Sequence, residues 1–219
     1  MKLPKQIMIF TISILFISCN QISEEDTLVH NQKVISGINK KKADLDKILF
    51  RIDQKIESAN KEFENVNTYK LFRSAEKKRR QLAAVQKKFK VLRAYKDRTE
   101  KLKSQLDLTH KTFEWQSHPK KVLEKVFEIA NKQIYGEAIF LADPYDENDA
   151  NVDRVAFIAC HPKEFKDQFI KSFKNGRIIG EPVINSSSAQ IEFLFGKNAD
   201  RKETMKFVKR KDSWYLSSF

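Results

Sequence analysis

The sequence predicts an α+β chain in which long N-terminal helices, arranged as a helical hairpin or a coiled coil, precede a small domain of helices packed on a curved antiparallel sheet. Three observations predict it. Leu45, Leu49, Ile52, Ile56, Ala59, Phe63 and Val66 alternate steps of four and three residues, the spacing of one helical stripe. A second run, Ala75, Leu82, Val85, Phe89 and Leu92, keeps helical steps out of phase with the first and continues less regularly through Leu102 and Leu106. Near the end the period falls to two, with Ile191, Phe193 and Phe195 and then Met205 and Phe207 alternating with polar residues. Composition agrees, because 5 Gly and 5 Pro in 219 residues leave few helix breaks, and 32% charged residues can cover a solvated face.

The first element is an export signal over residues 1–18. Lys2 and Lys5 precede a nearly unbroken apolar run from Ile7 to Ile17. That run is shorter than the roughly 20 residues a helix needs to cross a hydrocarbon core of about 30 Å. Phe16-Ile17-Ser18-Cys19 resembles the lipobox of bacterial lipoproteins, which implies acylation of Cys19 and a membrane tether. Cleavage by an ordinary signal peptidase, giving a plain secreted protein, is the alternative. With two or three acyl chains the anchor would be effectively permanent, at about 0.8 kcal/mol per buried methylene. Asn20 in place of aspartate points, under enterobacterial-type sorting, to the outer membrane of a Gram-negative bacterium. With Cys19 acylated, Cys160 has no cysteine left to pair with, so stability must come from packing.

Residues 19–32, with Ser23-Glu24-Glu25-Asp26 and little apolar material, read as a flexible spacer. Residues 33–112 form a basic helical region: positions 33–111 hold 23 bases against 10 acids, matching the +13 of the whole chain. Asn65-Val66-Asn67-Thr68 has low helix propensity and separates the two apolar runs. A turn there gives an intramolecular hairpin, whereas a stutter in one long helix gives a coiled-coil homodimer. The stripe itself reads as a packing seam. Lys77, Lys78, Arg79 and Arg80 form a cationic run that reads first as a solvated helix face and second as a contact for an anionic envelope surface; export argues against nucleic acid as its partner.

Residues 118–219 form the second domain, with 17 bases and 15 acids. Pro119 opens a helix to about Lys132 whose face is Val122, Leu123, Val126, Phe127 and Ala130. Ile134 to Leu141 suggests a shorter helix, Val152 to Cys160 another, and Pro162 opens a last one ended by Asn175-Gly176. Asn185-Ser186-Ser187-Ser188, Gly196-Lys197-Asn198 and Lys211-Asp212 then punctuate a meander that should wrap around the first helix.

Three segments carry a resemblance within this domain. They are His118-Pro119-Lys120-Lys121-Val122-Leu123, Ala142-Asp143-Pro144-Tyr145-Asp146-Glu147-Asn148-Asp149, and Glu203 to Lys209 leading to Trp214-Tyr215-Leu216. Together with the element order they resemble bacterial envelope lipoproteins of unknown function with a nuclear transport factor two-like, cystatin-like α+β domain. The resemblance covers 118–219 and implies a cone-shaped sheet used in different members as a ligand pocket, an active site or a dimer surface, so it implies no particular activity.

No residue pattern assigns a catalytic group, a metal site or a cofactor. Cys160-His161 is the most tempting pair, but neighbours in sequence seldom face one another, and with Pro162 next a helix start is the better reading. Asp149-Ala150-Asn151-Val152-Asp153 opens like a calcium loop, yet Arg154 replaces the required Gly and Cys160 the bidentate Glu, so a helix cap is preferred. The sequence therefore points to a non-enzymatic binding or adaptor module whose helices hold the domain away from the membrane and offer a surface to an envelope partner. The alternatives are an apolar ligand pocket at Phe193, Phe195, Phe207 and Trp214, or a hydrolase or isomerase with an acid or base in the cone.

Overall fold

The computed structural model describes residues 24–68, 74–106 and 110–219. The expected signal peptide and Cys19 lie outside the described residues. Helix α1 (Glu24–Thr68) stops at the low-propensity Asn65–Thr68 stretch, and α2 (Ala75–Gln105) starts at Ser74, whose hydroxyl accepts from the Lys77 N–H at 3.3 Å. The two pair within one chain as an antiparallel hairpin. Lys88 meets Glu62 at 2.9 Å, Lys96 meets Asp53 at 2.8 Å and Lys103 meets Asp46 at 2.5 Å, so later positions on α2 match earlier ones on α1. Such exposed pairs contribute at most about 1 kcal/mol each and set register rather than stability. The seam holds the pair: Leu45, Ile52 and Ala59 are buried opposite Val85 and Leu102, and Phe63 meets Phe89 edge-on at 6.5 Å.

One expectation needs correction. Residues 24–32 are helical and continuous with α1, not a flexible spacer. The physical reason is a tertiary partner: the ring of His30 packs edge-on against Tyr145 in the second domain, with its Nδ1 2.6 Å from the phenol oxygen. Val34 and Ile38 on the next turns are buried in the same junction.

In the domain, a 3-10 turn (Glu114–Ser117) leads into α3 (Pro119–Lys132), with Pro119 in its first turn and His118 as N-cap, Nδ1 accepting from the Lys120 N–H at 3.2 Å. Tyr135–Leu141 forms a 3-10 helix where a short helix was expected. Then come α4 (Ala150–Ala156), a 3-10 turn (Ile158–Cys160) and α5 (Lys163–Phe173). Strands β1 (Arg177–Ile184), β2 (Ser188–Phe195), β3 (Arg201–Arg210) and β4 (Ser213–Ser218) form one antiparallel meander in the order β1-β2-β3-β4.

Edge strand β1 was poorly legible because Gly180 and Pro182 interrupt its alternation. Its register against β2 shifts between Ile179 and Val183, and Gly180 there takes φ 73°, a left-handed backbone suited to glycine in a bulge. The sheet packs on α3, which touches β1, β2 and β4. Ile191, Phe193, Met205 and Phe207 point into this core, as the period-two pattern implies, and Phe195 packs at its margin.

Candidate functional site

The junction between hairpin and domain concentrates the polar chemistry of the molecule. Its centre is the loop from Ala142 to Asp149, positioned at one end by an isolated bridge between Ala142 and Leu216 of β4. At the other end Asp149 caps α4, its Oδ1 accepting from the N–H groups of Asn151 and Val152 at 3.0 and 2.9 Å. That cap uses the carboxylate that a calcium loop would have needed.

Asp143 is fully buried and held bidentately by Arg210 at the end of β3, with Nε 3.0 Å from Oδ1 and a second nitrogen on Oδ2. The same guanidinium donates to Glu147 at 2.6 Å and lies over the Tyr145 ring, 4.2 Å from its centroid. From α1, the buried Lys41 ammonium donates to the Asp143 carbonyl at 2.6 Å and pairs with Asp146 at 3.2 Å, while Lys40 reaches Asp146 at 2.6 Å. Three cations thus face three carboxylates. Burial pulls the Lys41 pKa down, and Asp146 offsets part of that pull.

Gly37 permits this approach. A Cβ built there would overlap the Pro144 carbonyl, which is backbone and cannot swing aside. On an isolated helix Gly→Ala stabilises by roughly 1 kcal/mol. Here the sign should reverse: Gly37→Ala is expected to cost about 1–3 kcal/mol through overpacking, read as a lower urea midpoint with faster amide exchange over residues 30–41.

Two histidines flank the clasp. His30 sits beside Tyr145, and His110 has Nε2 2.7 Å from the Tyr215 hydroxyl. Burial, then Lys41 and His30, lower the His110 pKa to about 4, with Asp143 opposing; burial, then Lys211 and Arg210, lower that of His30. Burial pushes the Tyr215 phenol up to about 12. A histidine whose folded pKa is depressed binds fewer protons folded than unfolded, so its stabilisation is complete above pH 6.5 and lost as pH falls toward 4. At about 1.4 kcal/mol per pKa unit, His110 alone accounts for as much as about 3 kcal/mol of acid lability. Urea titrations between pH 7 and 4 should show that loss, and His110→Gln should flatten it.

A second feature is a cleft of about 940 Å³ between the C-terminal part of α2 and the domain. Tyr95, Arg98 and Lys101 line it from α2, and Tyr135, Phe140 and Lys166 from the domain, above buried Leu102 and Ala159. Beside it, Thr99 of α2 is fully buried, its hydroxyl donating to the Tyr95 carbonyl at 2.9 Å. Burial raises the Cys160 thiol pKa, and burial followed by Lys166 and Arg154 lowers that of His161, whose ring lies tilted against Phe165 at 4.3 Å between centroids. The pair is neither a thiolate nor a base aimed at it; Cys160 is a packing residue between α2 and the domain.

The remaining sequence-derived sites fall in two places. Phe193, Phe207 and Trp214 are buried in the domain core, with Phe195 partly so. Phe193 lies 6.1 Å from Phe127, 6.2 Å from Phe173 and 5.7 Å from Phe195, ring centre to ring centre. None of the four lines the cleft. Lys77, Lys78, Arg79 and Arg80 occupy the first turns of α2, far along the hairpin from the clasp; Arg80 pairs with Glu76, and Lys78 donates to the Asn67 carbonyl at 2.7 Å. Among the described residues there is no group of His, Cys, Asp and Glu able to hold a metal ion, and no helix long and apolar enough to cross a membrane. Comparison with protein-family models, curated proteins and solved structures gave no match.

The clasp and the cleft were not foreseen. Two signals pointed to the clasp: Gly37 is the single glycine in the first 135 residues, and Lys40-Lys41-Lys42 complements the acidic run Asp143 to Asp149.

Proposed function

We propose that the protein is a lipid-anchored, non-enzymatic component of the bacterial envelope that serves as a binding or adaptor module, with its α+β domain kept close to the membrane and its hairpin tip as the far end. One observation carries this reading: the first turns of α1 dock on the domain, through His30 with Tyr145 and Gly37 with Pro144. An anchor at Cys19 is five residues before Glu24, a span of at most about 17 Å for an extended chain. In this reading the helices do not stand between the domain and the tether. Instead α1, about 68 Å long at 1.5 Å per residue, leads away from the domain to the cationic turns at Lys77 to Arg80. The raised Cys160 pKa and the carboxylates committed to the clasp support a non-enzymatic role.

Energy transfer from single fluorophores to acceptor lipids tests this in vesicles carrying the lipidated chain in a Cys160→Ser background. A dye at Asn31→Cys should transfer more strongly than one at Ser74→Cys. The reverse order, or equal transfer from a hairpin lying flat, overturns the arrangement. Loss of radiolabelled palmitate incorporation on Cys19→Ser tests the anchor separately.

A further inference from the structure

The cleft between α2 and the domain holds more positive charge than the protein itself neutralises. Arg98, Lys101, Lys111 and Lys166 all line it, and among the described residues none of them pairs with a carboxylate. The acids nearby are already engaged: Glu137 on the rim pairs with Lys125 at 2.7 Å, and Asp167 pairs with Lys163 at 2.5 Å. Lys166 is the most telling of the four. Its ammonium is half-buried, donates to the Ala159 carbonyl at 2.8 Å, and lies 5.8 Å from the Tyr95 ring centre and 5.3 Å from that of Tyr135. Arg98 stacks on the other partner of this group, 4.7 Å from the Tyr95 ring centre. Burial and the proximity of Arg98 both disfavour the charged form of Lys166, the condition of a cation that lacks its counter-ion.

Beneath these cations the surface is apolar, with Leu102 and Ala159 buried and Phe140 beside them. A convergent pair of cations over an aromatic and aliphatic floor, in a volume of the size that accepts small molecules, favours a ligand with a charged end and an apolar body. We propose that this cleft is a binding site for an anionic amphiphile, whose phosphate or carboxylate head sits at Arg98 and Lys166 and whose apolar body lies against Tyr95, Tyr135 and Phe140. The site is distinct from the core aromatics Phe193, Phe195, Phe207 and Trp214, and it does not depend on the anchor at Cys19.

The test is calorimetric titration of the full Cys19→Ser chain with monomeric dodecyl phosphate. Saturation at one per chain is expected, weakened at least tenfold in Arg98→Gln, in Lys166→Gln and for the uncharged dodecyl maltoside. Lys101→Gln, an exposed side chain outside the packing of the cleft floor, should weaken binding several-fold and keeps the test readable if Lys166→Gln unfolds. Inorganic phosphate should bind at least tenfold more weakly than dodecyl phosphate; equal affinity would make this a free-phosphate site and overturn the amphiphile. Binding only to phosphatidylglycerol vesicles would make the cleft a membrane contact and overturn it as well. So would the absence of saturation, or affinities unchanged by the substitutions.

Discussion

Replacing Arg210 by Met is expected to destabilise the protein by about 3–5 kcal/mol, because the substitution strands Asp143 as an unpaired carboxylate with no exposed surface. The guanidinium also covers Tyr145 and holds Glu147, but those contacts are minor beside the buried charge. Glu147 is more than half exposed, so Glu147→Gln should stay within about 1 kcal/mol. Urea unfolding of the two single variants gives the contrast. Asp143→Leu combined with Arg210→Met removes both charges and should recover much of the loss, since replacing a buried pair by apolar groups is often near neutral. The resulting cycle isolates their coupling, and a coupling below about 1 kcal/mol would show that the clasp is not the joint between β3 and the docking loop.

Phe193→Ala is expected to cost a similar about 3–5 kcal/mol, by loss of transfer free energy together with the cavity left among Phe127, Phe173 and Phe195. The value separates a solid core from a ligand cavity at this place. Where side chains already fill the space, truncation empties it; where a pocket existed, the loss would be closer to 1–2 kcal/mol and an apolar ligand would restore it. Val183→Ala on the edge strand, at a side chain 66% exposed, is the control and should lie within about 0.5 kcal/mol. The placement of Phe193, Phe207 and Trp214 in the core favours the larger figure.

Much of the architecture was legible because its determinants are local. The three-and-four spacing from Leu45 to Val66 marks the seam face of α1 without reference to any partner, and Leu45, Ile52 and Ala59 are buried there. Pro119 marked the start of α3, and Asp149 the cap of α4. Alternation placed Ile191, Phe193, Met205 and Phe207 inward. The expectation failed where a tertiary contact outweighed local polarity. Residues 24–32 carry little apolar material, yet His30 and the turns after it gain partners on the domain, and those contacts offset the entropy of ordering the segment.

The candidate sites were harder to read than the elements. The acidic run from Asp143 to Asp149 stood out only as part of a resemblance, the metal-loop comparison began at its last residue, Asp149, and nothing local linked the run to Arg210. The cleft was invisible for the same reason: Arg98 and Lys101 on α2 look like any solvated helix face until Tyr135 and Lys166 are brought opposite.

By itself, the sequence determined an α+β chain of long helices followed by an antiparallel meander, the apolar faces of those helices, and the break between α1 and α2. These follow from periodicity, propensity and capping, which act over a few residues. Tertiary structure alone decided that the start of α1 lies on the domain, that Asp143 is neutralised by Arg210, and that cations of α2 converge with those of the domain. Those outcomes join residues 67, 102 and 115 positions apart, at Arg210 with Asp143, Lys41 with Asp143, and His30 with Tyr145. Contacts of that range are set by how whole faces pack and by where a single glycine lets two backbones meet, and no local pattern encodes them.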